Sequence, residues 1–382
     1  FSATWETSSD LPTLAFGTYV VPDSGGSSGY RCATNELIRP DPSGTRYAAP
    51  LPLDPSYCPL SMLFSDWDRS GRRDLRVSND RHYYDNAVGE EQLWRITPGE
   101  PPRLYGASDG WQSLQVWGMG IASQDVTGDG LPEVYLTSQG DNKLQTLSSG
   151  PPRPAYRDVA LTMGVIGTRP ATGGDPLPST AWHPEFEDVN NDGLMDLYVS
   201  KGNVDQVPDY AVRDPSDLFL GQPEGRFVNQ VEAAGIVNFD RTRGAAVADL
   251  NDDGLVDLAE VKLRAPVRLW RNVGAGSADA PAPMGGWLAV RLVQPGANRE
   301  AIGAFLELRI GEVVTRRELT IGGGHLSGQL GWVHLGLGGA TSADVRVTWP
   351  DGTVGPWQPV GANQFMTLSP DAAPVPWTPP RP

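Results

Sequence analysis

Long apolar runs, histidine, cysteine and positive charge are all scarce in this chain of 382 residues. No stretch of eighteen apolar residues occurs, and a helix needs about 20 to cross a bilayer, so no transmembrane segment is expected. Thirty Lys and Arg stand against 46 Asp and Glu, a formal net charge of −16. Nucleic acid is excluded as a partner class, because phosphate binding needs a basic footprint. The four histidines, His82, His183, His325 and His334, have no spacing that makes a zinc site such as H-E-x-x-H. "GGGHLSG" is followed by no Lys-Ser or Lys-Thr, so it reads as a Gly-rich β-turn rather than a phosphate loop. Ser327 within it has no G-x-S-x-G elbow around it. Catalysis thus has no visible constellation.

Acidic residues are what the chain has in excess, and they are patterned. In "DVNNDGLMD", Asp188, Asn190, Asp192 and Asp196 occupy positions 1, 3, 5 and 9, with Gly193 at position 6 and the carbonyl of Leu194 at position 7. Ca²⁺ takes six to eight oxygens from loops of this kind, with glycine at the sharp turn. Without a cation the carboxylates would repel one another, although Asp, Asn and Gly also favour turns on their own account. Three further loops repeat the plan. They are Asp125, Thr127, Asp129, Leu131 and Glu133; Asp249, Asn251, Asp253, Leu255 and Asp257; and the looser Asp66, Asp68, Ser70, Arg72 and Asp74. About four Ca²⁺ are expected, with the Asp66 site weakest because Ser70 replaces an acid and Arg72 and Arg73 add positive charge. Four ions would supply +8, so part of the acidity is read as metal ligation rather than a surface field.

The first positions, 66, 125, 188 and 249, are spaced by 59, 63 and 61 residues, and a fixed period marks a repeat architecture. One period further back lies Trp5, where Trp5, Thr7, Ser9 and Thr13 replace the acids. This reads as a fifth repeat that has lost its metal. Each loop is flanked by short apolar or alternating runs bounded by Gly, Asn and Asp, which read as strands. Repeats of about sixty residues with three or four strands fit the blades of a β-propeller. The expected fold is therefore all-β, a propeller of about five blades over residues 1–273. A linker follows at 274–285, then a small β-rich domain at 286–369 and a Pro-rich tail at 370–382, extended or disordered.

"DLNDDGLVDLAE" also satisfies the EF-hand pattern, with Glu260 at position 12. The other loops place Val77, Leu136 and Val199 there, and their surroundings have strand periodicity. Position 9 is therefore the shared closing ligand, and Glu260 is expected to face outward from a strand. Trp67, Trp94, Trp117, Trp270 and Trp349 sit in strand-like runs and are expected in the core. Trp111 and Trp182 lie in loop-like segments, where stacking on a sugar is the functional reading to weigh.

Cys32 and Cys58 are 26 residues apart within the first repeat. In an exported protein they form a disulfide, the alternative being two buried thiols. The sequence begins with Phe rather than Met, read as a processed chain whose export signal is gone. An extracellular or periplasmic location follows, where free calcium is high enough to fill such loops.

The D-x-[DN]-x-D-G-x-x-D-L loops at blade spacing resemble FG-GAP/VCBS repeats, the calcium-binding blades also found in integrin α chains. Residues 298–354, with "AIGA", "RRELTIGGG", "HLGLG" and "VRVTWPDGT", resemble the ASPIC/UnbV domain. That domain follows such repeats in the cartilage acidic protein family and its bacterial relatives. The resemblance implies a secreted, calcium-binding, non-enzymatic protein acting in binding, adhesion or extracellular assembly. Its partner would be a protein or glycan outside the cell, or a second copy of the chain. The alternative is an enzyme or biosynthetic accessory acting on a saccharide or natural product in the channel or at the domain junction.

Overall fold

The computed structural model describes residues 1–25, 29–81, 88–205, 207–282, 284–325, 328 and 330–378; His82 and Ser327 lie outside them. The chain is all-β, its single α-helix among the described residues being the one-turn Ala160–Met163. Five small antiparallel sheets follow one another along the first part. Four of them have four strands, and each of the five is built by consecutive hairpins, apart from an excursion in the first.

The first sheet comprises Ser2–Thr4, Thr13–Phe16, Asn35–Ile38 and Leu51–Leu53. The second is Pro59–Ser65, Asp74–Asn79, Gln92–Arg95 and Arg103–Leu104; the third, Gly118–Gln124, Glu133–Ser138, Lys143–Leu147 and Tyr156–Asp158. The fourth is Ala181–Glu187, Asp196–Lys201, Asp217–Gly221 and Phe227–Asn229. The fifth has three strands, Thr242–Ala248, Asp257–Lys262 and Arg268–Trp270. An extra hairpin, Val20–Pro22 with Tyr30–Cys32, leaves the first sheet, and Cys32 is bonded to Cys58 at the entry to the second.

Why these segments are strands follows from burial on both faces. Glu133–Ser138 and Asp196–Lys201 are buried along their whole length, the condition in which β-branched and aromatic residues pack best. Four apolar cores fill the spaces between consecutive sheets. Leu37 and Leu53 meet Phe64 and Val77; Trp67 and Leu93 meet Ile121 and Leu136; Tyr135 and Leu144 meet Leu197 and Val199; Tyr198 meets Val247 and Leu258. Stacking sheets in this way buries the second strands of the second, third and fourth sheets along their whole length.

The C-terminal part is a separate two-sheet stack. One sheet orders Val333–Gly338, Gly286–Leu292, Gln364–Leu368 and Val375–Trp377, with Gly286–Leu292 parallel to Gln364–Leu368. The other orders Val313–Glu318, Phe305–Ile310, Ser342–Thr348 and Gln358–Gly361. Their facing sides form one core, including Leu288, Val290, Leu306, Val345 and Leu368. Part of the Pro-rich tail, expected to be extended or disordered, is extended and paired here. Val375–Trp377 adds an edge strand, because Trp377 packs its ring against Trp332 and Phe365 at 5.0 and 5.4 Å.

Three further readings are corrected. Glu260 does not face outward: it is fully buried and accepts hydrogen bonds from Tyr198 Oη (2.7 Å), Trp270 Nε1 (2.8 Å) and Asn238 Nδ2 (3.0 Å), so it is a polar core residue between the fourth and fifth sheets. Trp111 and Trp182 are buried, Trp182 within a strand with its Nε1 on Gly202 O at 2.7 Å, which leaves neither ring free to stack on a sugar. Of the expected core tryptophans, Trp67, Trp94 and Trp349 are buried, while Trp117 and Trp270 are half-buried.

Candidate metal loops and the interdomain junction

Each acidic loop is the connection between the first and second strands of its sheet. The last strand-one residue pairs with position 9: Ser65 with Asp74, Gln124 with Glu133, Glu187 with Asp196 and Ala248 with Asp257. The same connection in the first sheet, Thr4 paired with Thr13, spans Trp5. Sequence period and hairpin register therefore coincide in all five sheets.

The four loops share one backbone conformation. Position 4 is left-handed in each, at Arg69 (φ 58°), Gly128 (75°), Asn191 (59°) and Asp252 (60°), and position 6 is the positive-φ glycine Gly71, Gly130, Gly193 or Gly254. Glycine removes the steric cost of that region. The carboxylate at position 1 fixes the turn by accepting the position-6 amide: Gly71 to Asp66 (2.9 Å), Gly130 to Asp125 (2.9 Å), Gly193 to Asp188 (2.8 Å) and Gly254 to Asp249 (2.7 Å). Position 5 accepts from position 7 in three loops, Leu131 to Asp129, Leu194 to Asp192 and Leu255 to Asp253.

Position 9 closes the loop differently in different sheets. Glu133, Asp196 and Asp257 each accept the position-2 amide, from Val126 (3.0 Å), Val189 (2.9 Å) and Leu250 (3.2 Å). Asp196 and Asp257 take one further backbone donor each, from Gly221 and Asn272. Asp74 instead accepts side chains: Arg72 Nε (2.9 Å) and Nη2 (3.1 Å), Trp67 Nε1 (2.9 Å) and Tyr105 Oη (2.8 Å), together with Ile96 N (3.0 Å).

Burial pushes the carboxyls of these loops upward: Asp66 to about 6, Asp188 and Glu133 to about 7, and Asp196 to about 8 with help from the neighbouring Asp188 charge. Grouped and largely buried, such acids suit a hard divalent ion. Among the described residues no three acidic, histidine or cysteine side chains already converge as a metal-holding group. The carboxylates of the last three loops accept mainly backbone amides, and Glu133 also accepts Thr127 Oγ1 (3.2 Å) and Thr146 Oγ1 (2.8 Å). The neutral oxygens needed to complete a shell, Thr127, Asn190, Asn251 and the position-7 carbonyls, stand at the loop positions that calcium uses. By donor type and backbone shape these three loops fit Ca²⁺. The Asp66 loop, with Asp74 saturated by side-chain donors, fits it poorly.

All four loops face the C-terminal sheets. Three successive residues of the strand Val313–Glu318 reach three sheets. Arg316 lies 3.6 Å from Asp125, and Arg317 pairs with Glu187 at 2.9 Å. Glu318 accepts Asp66 N (2.9 Å) and Ser65 Oγ (2.8 Å). The fourth contact comes from Trp287, whose ring lies so close to Gly254 that any Cβ there would stand 2.0 Å from it.

Just beyond that strand, "IGGGH" crosses the first strands of four sheets in turn. Ile321 bridges Ala3, Gly322 bridges Leu63, Gly324 pairs with Ile121 in both directions, and His325 N donates to His183 Nδ1 at 3.2 Å. A Cβ on Gly322 would stand 2.5 Å from Met62 O, and one on Gly323 2.8 Å from Ile121 O. The Gly-rich β-turn expected here is in fact a backbone ribbon, and glycine is what allows its close approach. Sequence reading missed this role, for which the run of three glycines is the available signal. Beside the ribbon is a cavity of about 370 Å³, lined among others by Ser123, Glu187, Asp249, Glu318, Trp332 and His334.

Comparison with known proteins bears mainly on the C-terminal part. The family model described as ASPIC and UnbV matches residues 294–375. No curated protein matches the chain. Among solved structures, an Agrocybe aegerita lectin that recognises non-reducing terminal N-acetylglucosamine aligns over 70% of this chain and 79% of its own. Identity is 12% and the TM-score 0.34. A GH43 protein of Bacillus licheniformis, BlXynB, aligns over 92% and 74%, at 12% identity and a TM-score of 0.32. Likenesses this distant assign no ligand to the chain.

Proposed function

We propose that the chain is a calcium-stabilised β-propeller that acts outside the cell as a non-enzymatic binding protein, with its five sheets as FG-GAP-like blades and its ASPIC/UnbV domain mounted on the metal-bearing end. The observation that carries this is the common conformation of the acidic loops, with position 4 left-handed, glycine at position 6 and the position-1 carboxylate on the position-6 amide. The glycine ribbon meeting the first strands of four successive sheets supports a radial arrangement about one axis. The Cys32–Cys58 bond suits an oxidising compartment, and among the described residues no helix is long and apolar enough to cross a membrane.

Asp125, Asp129 and Glu133, Asp188, Asp192 and Asp196, and Asp249, Asp253 and Asp257 would hold the ions. A bound cation supplies charge compensation and rigidity, not turnover. The C-terminal domain covers that end, which leaves the connections at the opposite end of the sheets for a protein or glycan partner. Exposed apolar residues cluster in those connections: Val88, Leu177, Val204, Val212 and Phe239. Elemental analysis after exhaustive dialysis and calcium reloading tests the reading. Bound calcium that raises the melting temperature is expected, and a metal-free chain of unchanged stability overturns it.

The cavity beside the glycine ribbon favours a second reading, a small saccharide or natural product held at the junction, with the chain an enzyme or biosynthetic accessory. A turnover reaction needing calcium at concentrations where the fold is already fully stable would select it.

A further inference from the structure

Loop 66–73 has the backbone of the other three but a different interior. Asp74 accepts five hydrogen bonds, and a carboxylate offers about four lone-pair sites. Two of the five come from Arg72, which stands where the other loops have Leu131, Leu194 and Leu255. The same guanidinium is 3.8 Å from Asp68 Oδ2, at position 3. It therefore lies between the position-3 and position-9 carboxylates.

We infer that Arg72 takes the place of the cation in the second sheet, so that the chain carries three calcium sites and not four. This rests on the calcium reading of the other loops. A divalent ion at Asp74 would have to displace the guanidinium and strand the buried Trp67 and Tyr105 donors, and leaving buried donors unpaired costs about 1–3 kcal/mol each. Ser70 stands where the other loops have Asp129, Asp192 and Asp253, but Asp68 replaces their neutral Thr127, Asn190 and Asn251, so the loop carries the same three acids and the guanidinium is what sets it apart.

The first sheet follows the same logic. In its metal-free connection Glu6 is held by both Nε (2.8 Å) and Nη2 (2.9 Å) of Arg39, and Thr13, at position 9, donates to Glu6 at 2.6 Å. Arginines do approach two of the other loops, Arg316 at Asp125 and Arg271 at Asp253, both at 3.6 Å. Each comes from outside the loop and leaves the position-9 carboxylate without a guanidinium.

Closure by arginine suits what this loop does. Arg69 stacks over the Phe305 ring at 3.6 Å, and Arg73 donates to Gly303 O (2.8 Å) and Pro350 O (3.0 Å). With Asp66 N on Glu318, the loop is a latch to the C-terminal domain whose shape does not depend on metal.

Calcium counting on the reloaded full chain tests this. Three ions are expected in the wild type, three in Asp66→Asn, two in Asp188→Asn and four in the double variant Ser70→Asp/Arg72→Leu. Four ions in the wild type, falling to three in Asp66→Asn, would overturn the inference and leave the calcium reading intact. No bound ion would overturn the calcium reading itself, and melting curves then judge Arg72 alone. Arg72→Leu is expected to lower the melting temperature equally in calcium and in chelator, and an unchanged melting temperature in chelator overturns its role.

Discussion

His334 and Asn191 are joined across 143 residues by a hydrogen bond of 2.6 Å. Asn191 Nδ2 already donates to Gly254 O (3.0 Å), so Asn191 Oδ1 is the acceptor and His334 carries its proton on Nε2. Burial pushes the His334 pKa down to about 4 and keeps the ring neutral. One side chain of the third acidic loop thus ties the fourth loop to the strand Val333–Gly338. Both loops are thereby bonded, directly or through Asn191, to the C-terminal domain.

Removing a position-1 carboxylate should show this coupling. Asp188→Ala or Asp249→Ala is expected to release one ion and lower the melting temperature in calcium, whereas Trp5→Ala should alter packing without changing the ion count. A ligand bound only by the native state contributes about 2.7 kcal/mol at a hundredfold excess over its Kd. Calorimetry with and without calcium reads the difference. Equal melting temperatures of wild type and Asp188→Ala in calcium would contradict it.

Gly336 gives a steric test of the junction. A Cβ there would stand 1.8 Å from Asp188 Oδ2 and 2.8 Å from Asn191 Cα, while one on Gly339 would meet nothing within 4 Å. Gly336→Ala is therefore expected to destabilise the chain by about 1–3 kcal/mol, as overpacking does, and to weaken calcium binding at the third loop. Gly339→Ala should do neither. Parallel behaviour of the two variants, in denaturant unfolding and calcium titration, would count against a tight junction.

The repeat and its turns were legible because both are local. Spacing of Asp66, Asp125, Asp188 and Asp249 located the hairpins, and glycine at position 6 located the turn. Contacts between residues far apart were not. A lone acid on a strand ordinarily faces outward, and what makes the burial of Glu260 tolerable is the Lys262 ammonium at 3.4 Å with donors from four other segments, Tyr198, Ser216, Asn238 and Trp270. Arg72 looked like a residue lending its carbonyl, since nothing in "DWDRSGRRD" shows that Tyr105 and Trp67 will gather on Asp74. The run Arg316, Arg317, Glu318 carries no periodic signal either, because each side chain answers to a different sheet.

The Cys32–Cys58 bond ties the extra hairpin of the first sheet to the start of the second. Its sequence separation of 26 residues corresponds to a reduction cost on the order of 2–4 kcal/mol in the chain-entropy account. Non-reducing peptide mapping should yield one linked pair, and unfolding with and without reductant should differ by that amount. Two thiols freely alkylated in native protein would contradict the bond.

Glu91 sets a pH dependence that is separable from the metal loops. It is fully buried between the second and third sheets, where Oε1 accepts Asn79 N (2.9 Å) and Ser78 Oγ (3.2 Å), while among the described residues Oε2 has no partner. Burial is the largest influence and pushes its pKa up to about 7, against the opposing pull of Arg76, the Asn79 amide and the Ser78 hydroxyl. A raised folded-state pKa means that the native chain favours the protonated acid. Its stabilising contribution is complete below the ordinary value of 4.5 and is lost as pH rises through about 7. The loss amounts to at most about 3 kcal/mol, at 1.36 kcal/mol per pKa unit. Glu91→Gln cannot ionise, so in saturating calcium it should match the wild type at pH 4 and exceed it in stability at pH 8. Asp80 and Asp214, raised by burial to about 7 and about 6, are unaltered in both chains and cancel in the comparison. Unfolding free energies measured at the two pH values give the slope for each chain. Identical slopes would place the Glu91 carboxyl at its ordinary pKa and contradict the burial argument.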